Sequence, residues 1–257
     1  MQCKICGQEN PSCFSERILG RYPVEYYRCN NCCFVQTQEP FWLEEAYARP
    51  VNLSDTGYMV RNLFYSKRLT ILLFLLFGST GKFLDYAGGY GVFVRLMRDI
   101  GFDFYWEDKY SQNLFSAGFE RDYVSKIDAV TVFEAFEHFE NPMMELESLL
   151  KISKTIIFST ELYPEPLPEP KDWWYYGLDH GQHIAFYSEK TIGYMAERFD
   201  VNYYRLGSLH IFSDREIPKW KILAMRLSRF GLYPLIAKKL KSKTWDDHQK
   251  ATKMVIK

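Results

Sequence analysis

The chain has 257 residues, 32 lysines plus arginines against 32 aspartates plus glutamates, and 18% aromatic residues. That length suits one large domain or one domain with a small attachment, and the aromatic content supplies ample core material. A formal net charge of zero removes the overall positive field expected of a nucleic-acid binder, and the longest apolar run, Leu69 to Phe77 with Thr70 inside it, is far too short to span a bilayer.

The N-terminus, Met1-Gln2-Cys3-Lys4-Ile5-Cys6, has no apolar signal region, so a cytoplasmic protein is expected. Four cysteines form Cys3-x-x-Cys6 and Cys29-x-x-Cys32. Two such knuckles separated by about twenty residues are a zinc signature: each places two thiolates on one turn, and two turns complete a tetrahedron. Four thiolates close the coordination sphere, so a structural Zn2+ is expected, with disulfides or four unrelated thiols as the alternatives. Disulfides fit poorly with a chain lacking a secretion signal. Cys33 competes with Cys32 as a ligand, and Cys13 is spare. Between the knuckles, Tyr22 to Arg28 alternates like a strand, giving a zinc ribbon over residues 1–40. So short a module needs its metal to fold.

Residues 41–80 read as a helical linker or lid. Trp42 to Tyr47 forms a short helix, and Asp55 or Thr56 caps a longer one ending at Phe77. Tyr47, Tyr58 and Tyr65 are in reach of a ligand there, with packing as the ordinary use of each.

Lys82 to Tyr86 reads as a strand, Ala87-Gly88-Gly89-Tyr90-Gly91 as a turn, and Val92 to Met97 as a helix start. Glycine lets the chain turn sharply and lets a ligand approach the main chain, and the free N–H groups of the helix start favour an electron-rich group. A tight strand–helix turn in any α/β protein could carry the same residues. Alanine is acceptable at position 87 only if its φ stays negative.

A second strand follows, ending in Glu107-Asp108. In a βαβ unit an acid at that place hydrogen-bonds a ribose diol. Asp108 aligns best, Glu107 is its rival, and an exposed acidic loop is the plain alternative. Residues 111–125 are irregular, so a third strand is hard to place; Glu120 or Asp122 are the acids available there. Ile127 to Phe133 is a continuous β-rich run of the buried parallel type. Met143 to Leu150 reads as a helix and Thr155 to Thr160 as the fifth strand. This alternation predicts an α/β fold with a doubly wound, mostly parallel sheet over residues 81–213, with ligands beyond the carboxyl ends of the strands.

Pro164, Pro166, Pro168 and Pro170 make an extended segment. Trp173 to Tyr176 follow, then Asp179-His180 and His183. Two histidines three apart behind an acid form a candidate proton-transfer site, with a satisfied structural pair as the alternative. Ser188 caps a helix, Val201 to Leu206 and Leu209 to Phe212 read as two antiparallel strands, and residues 214–257 read as basic amphipathic helices broken at Gly231 and Pro234. Their Lys238, Lys239, Lys241 and Lys243 form a solvated face or a contact for phosphate, membrane or partner.

Asp85, Gly89 and Gly91 stand in register with the D-x-G-x-G-x-G signature of class I S-adenosylmethionine-dependent methyltransferases, with Ala87 in the first glycine's place. Glu134-x-x-Glu137-His138-x-x-x-Pro142 resembles the segment that follows the fourth strand of many such enzymes. The resemblance implies a seven-stranded-type sheet and S-adenosylmethionine as cofactor, bound by Asp85, Ala87, Gly88, Gly89, Gly91, Asp108 and Glu134, with His138 structural. The order of cysteine knuckles, glycine loop, E-x-x-E-H and acid–histidine pair resembles the sugar C-methyltransferases. That likeness implies a small-molecule acceptor, with a nucleotide sugar as the candidate, and no nucleic acid. In it His180 is the base, paired with Asp179, and His183 and Tyr176 or Tyr175 are donors to an enolate oxygen. Asp179 stands where the family more often has Glu, no tyrosine is in clear register, and the longer C-terminal domain of full-length members is expected to be missing or reduced. His183 also matches a structural histidine of many methyltransferases. An RNA methyltransferase with a zinc ribbon and a binding protein built on a degenerate cofactor fold are the alternatives.

Overall fold

The computed structural model describes residues 1–48, 55–226 and 231–255. In chain order the elements begin with strands β1 (Ser12–Ile18), β2 (Tyr22–Arg28) and β3 (Val35–Thr37) and helices α1 (Leu43–Ala46) and α2 (Tyr58–Phe77). Next come β4 (Lys82–Tyr86), α3 (Val92–Ile100), β5 (Asp103–Glu107), β6 (Ala129–Phe133), α4 (Pro142–Ile152) and β7 (Thr155–Ser159). The last elements are β8 (Ala185–Phe186), α5 (Glu189–Arg198), β9 (Asn202–Leu206), β10 (Leu209–Ser213), α6 (Lys219–Arg226), α7 (Leu232–Ala237) and α8 (Thr244–Val255). Among the described residues no helix is long and apolar enough to cross a membrane.

Two sheets organise the chain. One has the order β1-β2-β3-β8, the other β5-β4-β6-β7-β10-β9. In the larger sheet β4 runs parallel to both β5 and β6, and β10 pairs antiparallel with β9. This is the expected mixed α/β sheet with six strands. The seventh place is reduced to one parallel bridge between Trp106 and Glu120 beside β5, because residues 111–118 are spent on turns.

Compactness divides the chain into two units. The first comprises Met1–Asn52, Phe133–Lys151 and Ile157–Arg215. Its small sheet starts as a hairpin in which Leu19 and Gly20 both take positive φ, 55° and 70°, the backbone that matches strand twist in a tight turn. The inward residues Ile18, Val24, Tyr26 and Val35 pack with Trp42, Tyr176 and Phe186 in one buried cluster. Burying each of the large side chains contributes about 1.5–3 kcal/mol. The Trp42 indole N–H donates to the Gly181 carbonyl at 2.7 Å. Ser188 and Thr191 form the full reciprocal cap expected at the start of α5.

The second unit comprises Leu53–Val132, Ile152–Ile156 and Glu216–Lys257. Helix α2 begins after Gly57 with no side-chain cap. Neither Asp55 nor Thr56 takes that role. Both Asp55 oxygens are held by Arg61, at 2.8 and 2.7 Å, so the carboxylate prefers a bidentate guanidinium to the helix N–H groups. Helix α8 is anchored by Asp247, whose two oxygens receive Nε and Nη2 of Arg98 at 2.7 Å each and Nη2 of Arg95 at 2.9 Å. Gly231, at φ 99°, caps α7, and residues 227–230 lie outside the described residues; the break expected at Pro234 does not occur, because it sits in the first turn of α7, where its missing N–H costs nothing. Lys241 and Lys243 of the basic cluster pair with Asp246 at 3.9 Å and Asp103 at 3.3 Å.

Candidate functional site

Three groups of chemistry-bearing residues emerge, two in the first unit and one in the second. The first is the cysteine cluster. Sγ atoms of Cys3, Cys6, Cys29 and Cys32 lie within 4.8 Å of one another, with Cys3–Cys32 at 3.6 Å and Cys6–Cys29 at 3.4 Å. A tetrahedral ion with Zn–S of about 2.3 Å separates its sulfurs by roughly 3.8 Å, so the thiols stand close to the spacing a metal requires. The two knuckles share one backbone turn: Gly7 N–H donates to the Cys3 carbonyl at 2.9 Å and Cys33 N–H to the Cys29 carbonyl at 3.0 Å. Gly7 and Cys33 both take positive φ, 76° and 58°. Cys33 therefore occupies the flexible position of the second knuckle, its carbonyl accepts the Tyr163 hydroxyl, and Cys32 supplies the clustered thiol.

The glycine turn after β4 belongs to the second unit. Asp85 is 3% exposed and accepts the Thr131 hydroxyl at 2.6 Å. Burial pushes its carboxyl up to about 7; the Thr131 bond works against that and the Asp108 charge adds to it. Ala87 has φ +58°, with Gly89 at +53° and Gly91 at +83°. The condition that alanine 87 keep a negative φ is not met: the turn needs the left-handed region there, and alanine adopts it at a cost of about 1–2 kcal/mol. Gly88 has a different reason. A Cβ at that position would lie 2.9 Å from both Asp85 Oδ2 and Trp106 Cδ1, so the indole, whose N–H donates to Gly89 O at 2.9 Å, closes on bare backbone.

Asp108, just past β5, accepts Gly89 N–H at 2.9 Å on one oxygen and the N–H groups of Tyr110 and Ser111 at 2.7 Å each on the other. It is thereby held against the turn and aimed. Glu107 pairs with Arg121 at 3.1 Å, and Glu120 accepts Asn113 Nδ2 and Gly118 N–H, so Asp108 is the acid that reaches the loop. The Tyr58 hydroxyl would lie 2.9 Å from a Cβ on Gly89 and closes the same turn from α2.

The third group lies in the turn after β6 and in residues 175–183. Glu134, at φ +49°, exchanges hydrogen bonds with Ser159: its N–H donates to Ser159 Oγ at 2.9 Å and its carboxylate accepts the hydroxyl. Residues Phe136–His138 make one 3-10 turn, which rotates Glu137 inward to 0% exposure. Neither buried Glu137 oxygen makes a well-formed hydrogen bond among the described residues, although the Tyr175 and Thr160 hydroxyls are near enough to favour its charged form. Burial, and then the neighbouring Glu134 charge, push this carboxyl up to about 8. His138, His183 and His180 form a row, with ring centroids 5.0 Å apart for the first pair and 4.7 Å for the second. The Tyr175 ring lies 4.6 Å from that of His183, tilted by 53°.

Ring hydrogen bonds assign the protons. His138 Nδ1 faces the Gln182 carbonyl at 2.9 Å and His183 Nδ1 faces the Tyr175 carbonyl at 2.6 Å. A carbonyl only accepts, so both rings carry their proton on Nδ1 and present a lone pair at Nε2. His180 is the reverse: its Nδ1 accepts Gln182 N–H at 3.1 Å, so the neutral ring carries its proton on Nε2. Burial holds His138 down at about 4 and His183 well below its ordinary range. Gly177 makes room for His180, since a Cβ there would lie 2.4 Å from two ring atoms.

The structure thus brings Asp85, Ala87, Gly88, Gly89, Gly91 and Asp108 to one turn, and His180 and His183 to one row. Asp179 is exposed, and the His180 Nδ1 is engaged by Gln182 rather than by it. Tyr176 turns into the aromatic core, with its hydroxyl on the Pro168 carbonyl at 2.9 Å; Tyr175 is the tyrosine beside the histidines. The sequence pattern points to Glu134 and not to Glu137. The signal available was its place three residues after Glu134 and between Phe136 and His138, where a single tight turn buries the middle residue.

A family model described as a methyltransferase domain matches residues 59–206, more than half of the chain. Among solved structures, the plantazolicin methyltransferase BpumL in complex with a monoazolic desmethylPZN analog and SAH is 14% identical over 78% of this chain and 88% of that one, with a TM-score of 0.49. Magnesium protoporphyrin IX methyltransferase from Synechocystis PCC 6803 with bound SAH is 14% identical over 67% of this chain and 94% of that one, with a TM-score of 0.43. No curated protein matches the chain.

Proposed function

The chain belongs to the methyltransferase-domain family, and from that premise we propose that it transfers a methyl group from S-adenosylmethionine to a small molecule, at a carbon beside the ketone of a keto-sugar nucleotide or a related compound. The observation that carries the cofactor reading is the Asp108 carboxylate held on three backbone N–H groups against a turn whose Gly88 has no room for a Cβ. These residues fit an adenosyl ligand. A carboxylate has about four acceptor positions, so Asp108 takes one ribose hydroxyl directly and the second by releasing a backbone N–H. Asp85 and the 87–91 backbone form the floor of that site. Bound there, the sulfonium supplies an electrophilic methyl group.

The chain's own residues supply positioning and proton transfer. A carbon beside a ketone must lose a proton before it attacks a methyl group. His180 handles that proton in this proposal because it stands at the Asp179 end of the histidine row and is only half-buried. Taking up a proton at Nδ1 requires the Gln182 N–H bond to open. Tyr175, with its hydroxyl against Thr160 at 3.2 Å, is the donor nearest the row. The same reading gives Cys3, Cys6, Cys29 and Cys32 a structural Zn2+ that ties the two knuckles together.

Exchange of the acceptor's α-proton with deuterated solvent tests the chemistry apart from methyl transfer. With keto-sugar nucleotides as probes, His180→Ala slows exchange by at least about 100-fold, the lower end of general-base catalysis. Equal exchange in the variant and the parent removes His180 from the reaction.

A further inference from the structure

We propose that Glu137, His138 and His183 hold a divalent first-row transition ion, at a site separate from the cysteine cluster, through one carboxylate oxygen and the two Nε2 atoms. The inference goes beyond the methyl-donor reading and does not need it.

Four observations converge. The candidate ligand atoms of the three residues lie within 4.8 Å of one another. Two donors about 2.1 Å from one tetrahedral ion stand roughly 3.4 Å apart, so small side-chain rotations close the site. Glu137 is wholly buried and neither oxygen makes a well-formed hydrogen bond among the described residues. A charged carboxylate there needs a partner, and a bound cation is one that it can take in exchange for a proton. Both imidazoles already donate Nδ1–H to backbone carbonyls, Gln182 and Tyr175. That is the support a metal-bound histidine uses: it fixes the ring, sets the tautomer and leaves Nε2 as the ligand. The second carboxylate, Glu134, lies close enough for its charge to act on Glu137, which deepens the negative potential around the three ligands.

Two nitrogens and one oxygen form a borderline donor set, suited to Zn2+, Fe2+ or Mn2+ rather than to Ca2+ or Mg2+. His138 is partly exposed, which gives the ion an entry. Three protein ligands leave open positions. If the transferase reading is right, those positions take the acceptor's oxygen and stabilise the charge it gains when the neighbouring carbon loses its proton; this role rests on that reading, and the site itself does not.

Protein carrying a single equivalent of zinc, which the four thiolates take first, tests the site when titrated with Mn2+, because Mn2+ binds thiolates weakly. Calorimetry and the loss of the free Mn2+ electron paramagnetic resonance signal both report binding, with no substrate or methyl donor present. The expected result is a further divalent ion taken up per chain, weakened at least tenfold in Glu137→Gln and in His138→Gln, while both variants retain the zinc of the cysteine cluster. No Mn2+ uptake by the parent protein overturns the proposal. So does equal uptake by the parent and by a variant that keeps its zinc and its melting temperature. Failure of S-adenosylmethionine binding in a separate titration bears on the transferase reading alone.

Discussion

Two regions of this molecule bury a carboxylate and resolve it in opposite ways. In the second unit Asp247 of α8 meets Arg98 and Arg95 through three hydrogen bonds. Burial alone raises its carboxyl, but the Arg98 bonds outweigh that and leave it below the usual range. In the first unit Glu137 is at least as buried and its oxygens make no well-formed hydrogen bond among the described residues. The first arrangement is a clasp, complete in itself. The second is incomplete, and a buried carboxyl without well-formed hydrogen bonds invites a ligand.

The contrast can be broken first at the clasp. Asp247→Ala leaves Arg98, 4% exposed, with only the longer Asp103 contact at 3.3 Å, and stability falls by about 3 kcal/mol, read as a lower urea midpoint with unchanged slope. A loss below about 1 kcal/mol would mean that α8 is not held this way and that Glu137 is not exceptional.

Asp85 sits between the two extremes, with one hydroxyl donor. Its folded value, about 7, lies above that of an unfolded aspartate. Between the two values the native state keeps a proton that the unfolded chain has lost, so stability falls as pH rises through this window. The contribution is fully present below the unfolded value and is lost by about pH 7. The slope is about 1.4 kcal/mol per pH unit for one group. Asp85→Asn should therefore melt higher than the parent at pH 8 and nearly together with it at pH 4. Parallel melting curves across that range contradict the assignment.

The smallest expected effect is at Ala87. Glycine at φ +58° relieves about 1 kcal/mol of backbone strain, so Ala87→Gly raises the urea midpoint without changing side-chain contacts. A neutral or lower midpoint would show that the turn relaxes around alanine.

Regions differ just as sharply in how far their sequence speaks. The glycine turn is built from backbone, and its residues are contiguous, so Asp85 to Gly91 could be placed between a strand and a helix from spacing alone. Cysteine knuckles are legible for the same reason: each pair is one turn. The histidine row is built from side chains on segments far apart in sequence, and neither the partnership of His138 with His183 nor the inward turn of Glu137 follows from local pattern. Tyr175 and Tyr176 show the limit most plainly. They are adjacent and chemically identical and share one buried cluster, yet only Tyr175 flanks His183 while the Tyr176 hydroxyl turns to the Pro168 carbonyl, a difference set by a 3-10 turn that no spacing rule announces. The third strand was lost to turns because Asp108, Asn113 and Glu120 spend their side chains on local N–H groups, which competes with pairing.

The central claim is that the turn after β4 and the Asp108 carboxylate bind a methyl donor, and calorimetric titration of the zinc-loaded protein with S-adenosylmethionine and S-adenosylhomocysteine tests it most directly. The account predicts micromolar binding of both, weakened about 10- to 100-fold in Asp108→Ala, as expected when charged hydrogen bonds of about 1.5–3 kcal/mol are removed. No binding of either ligand by the folded, zinc-loaded parent would contradict the account.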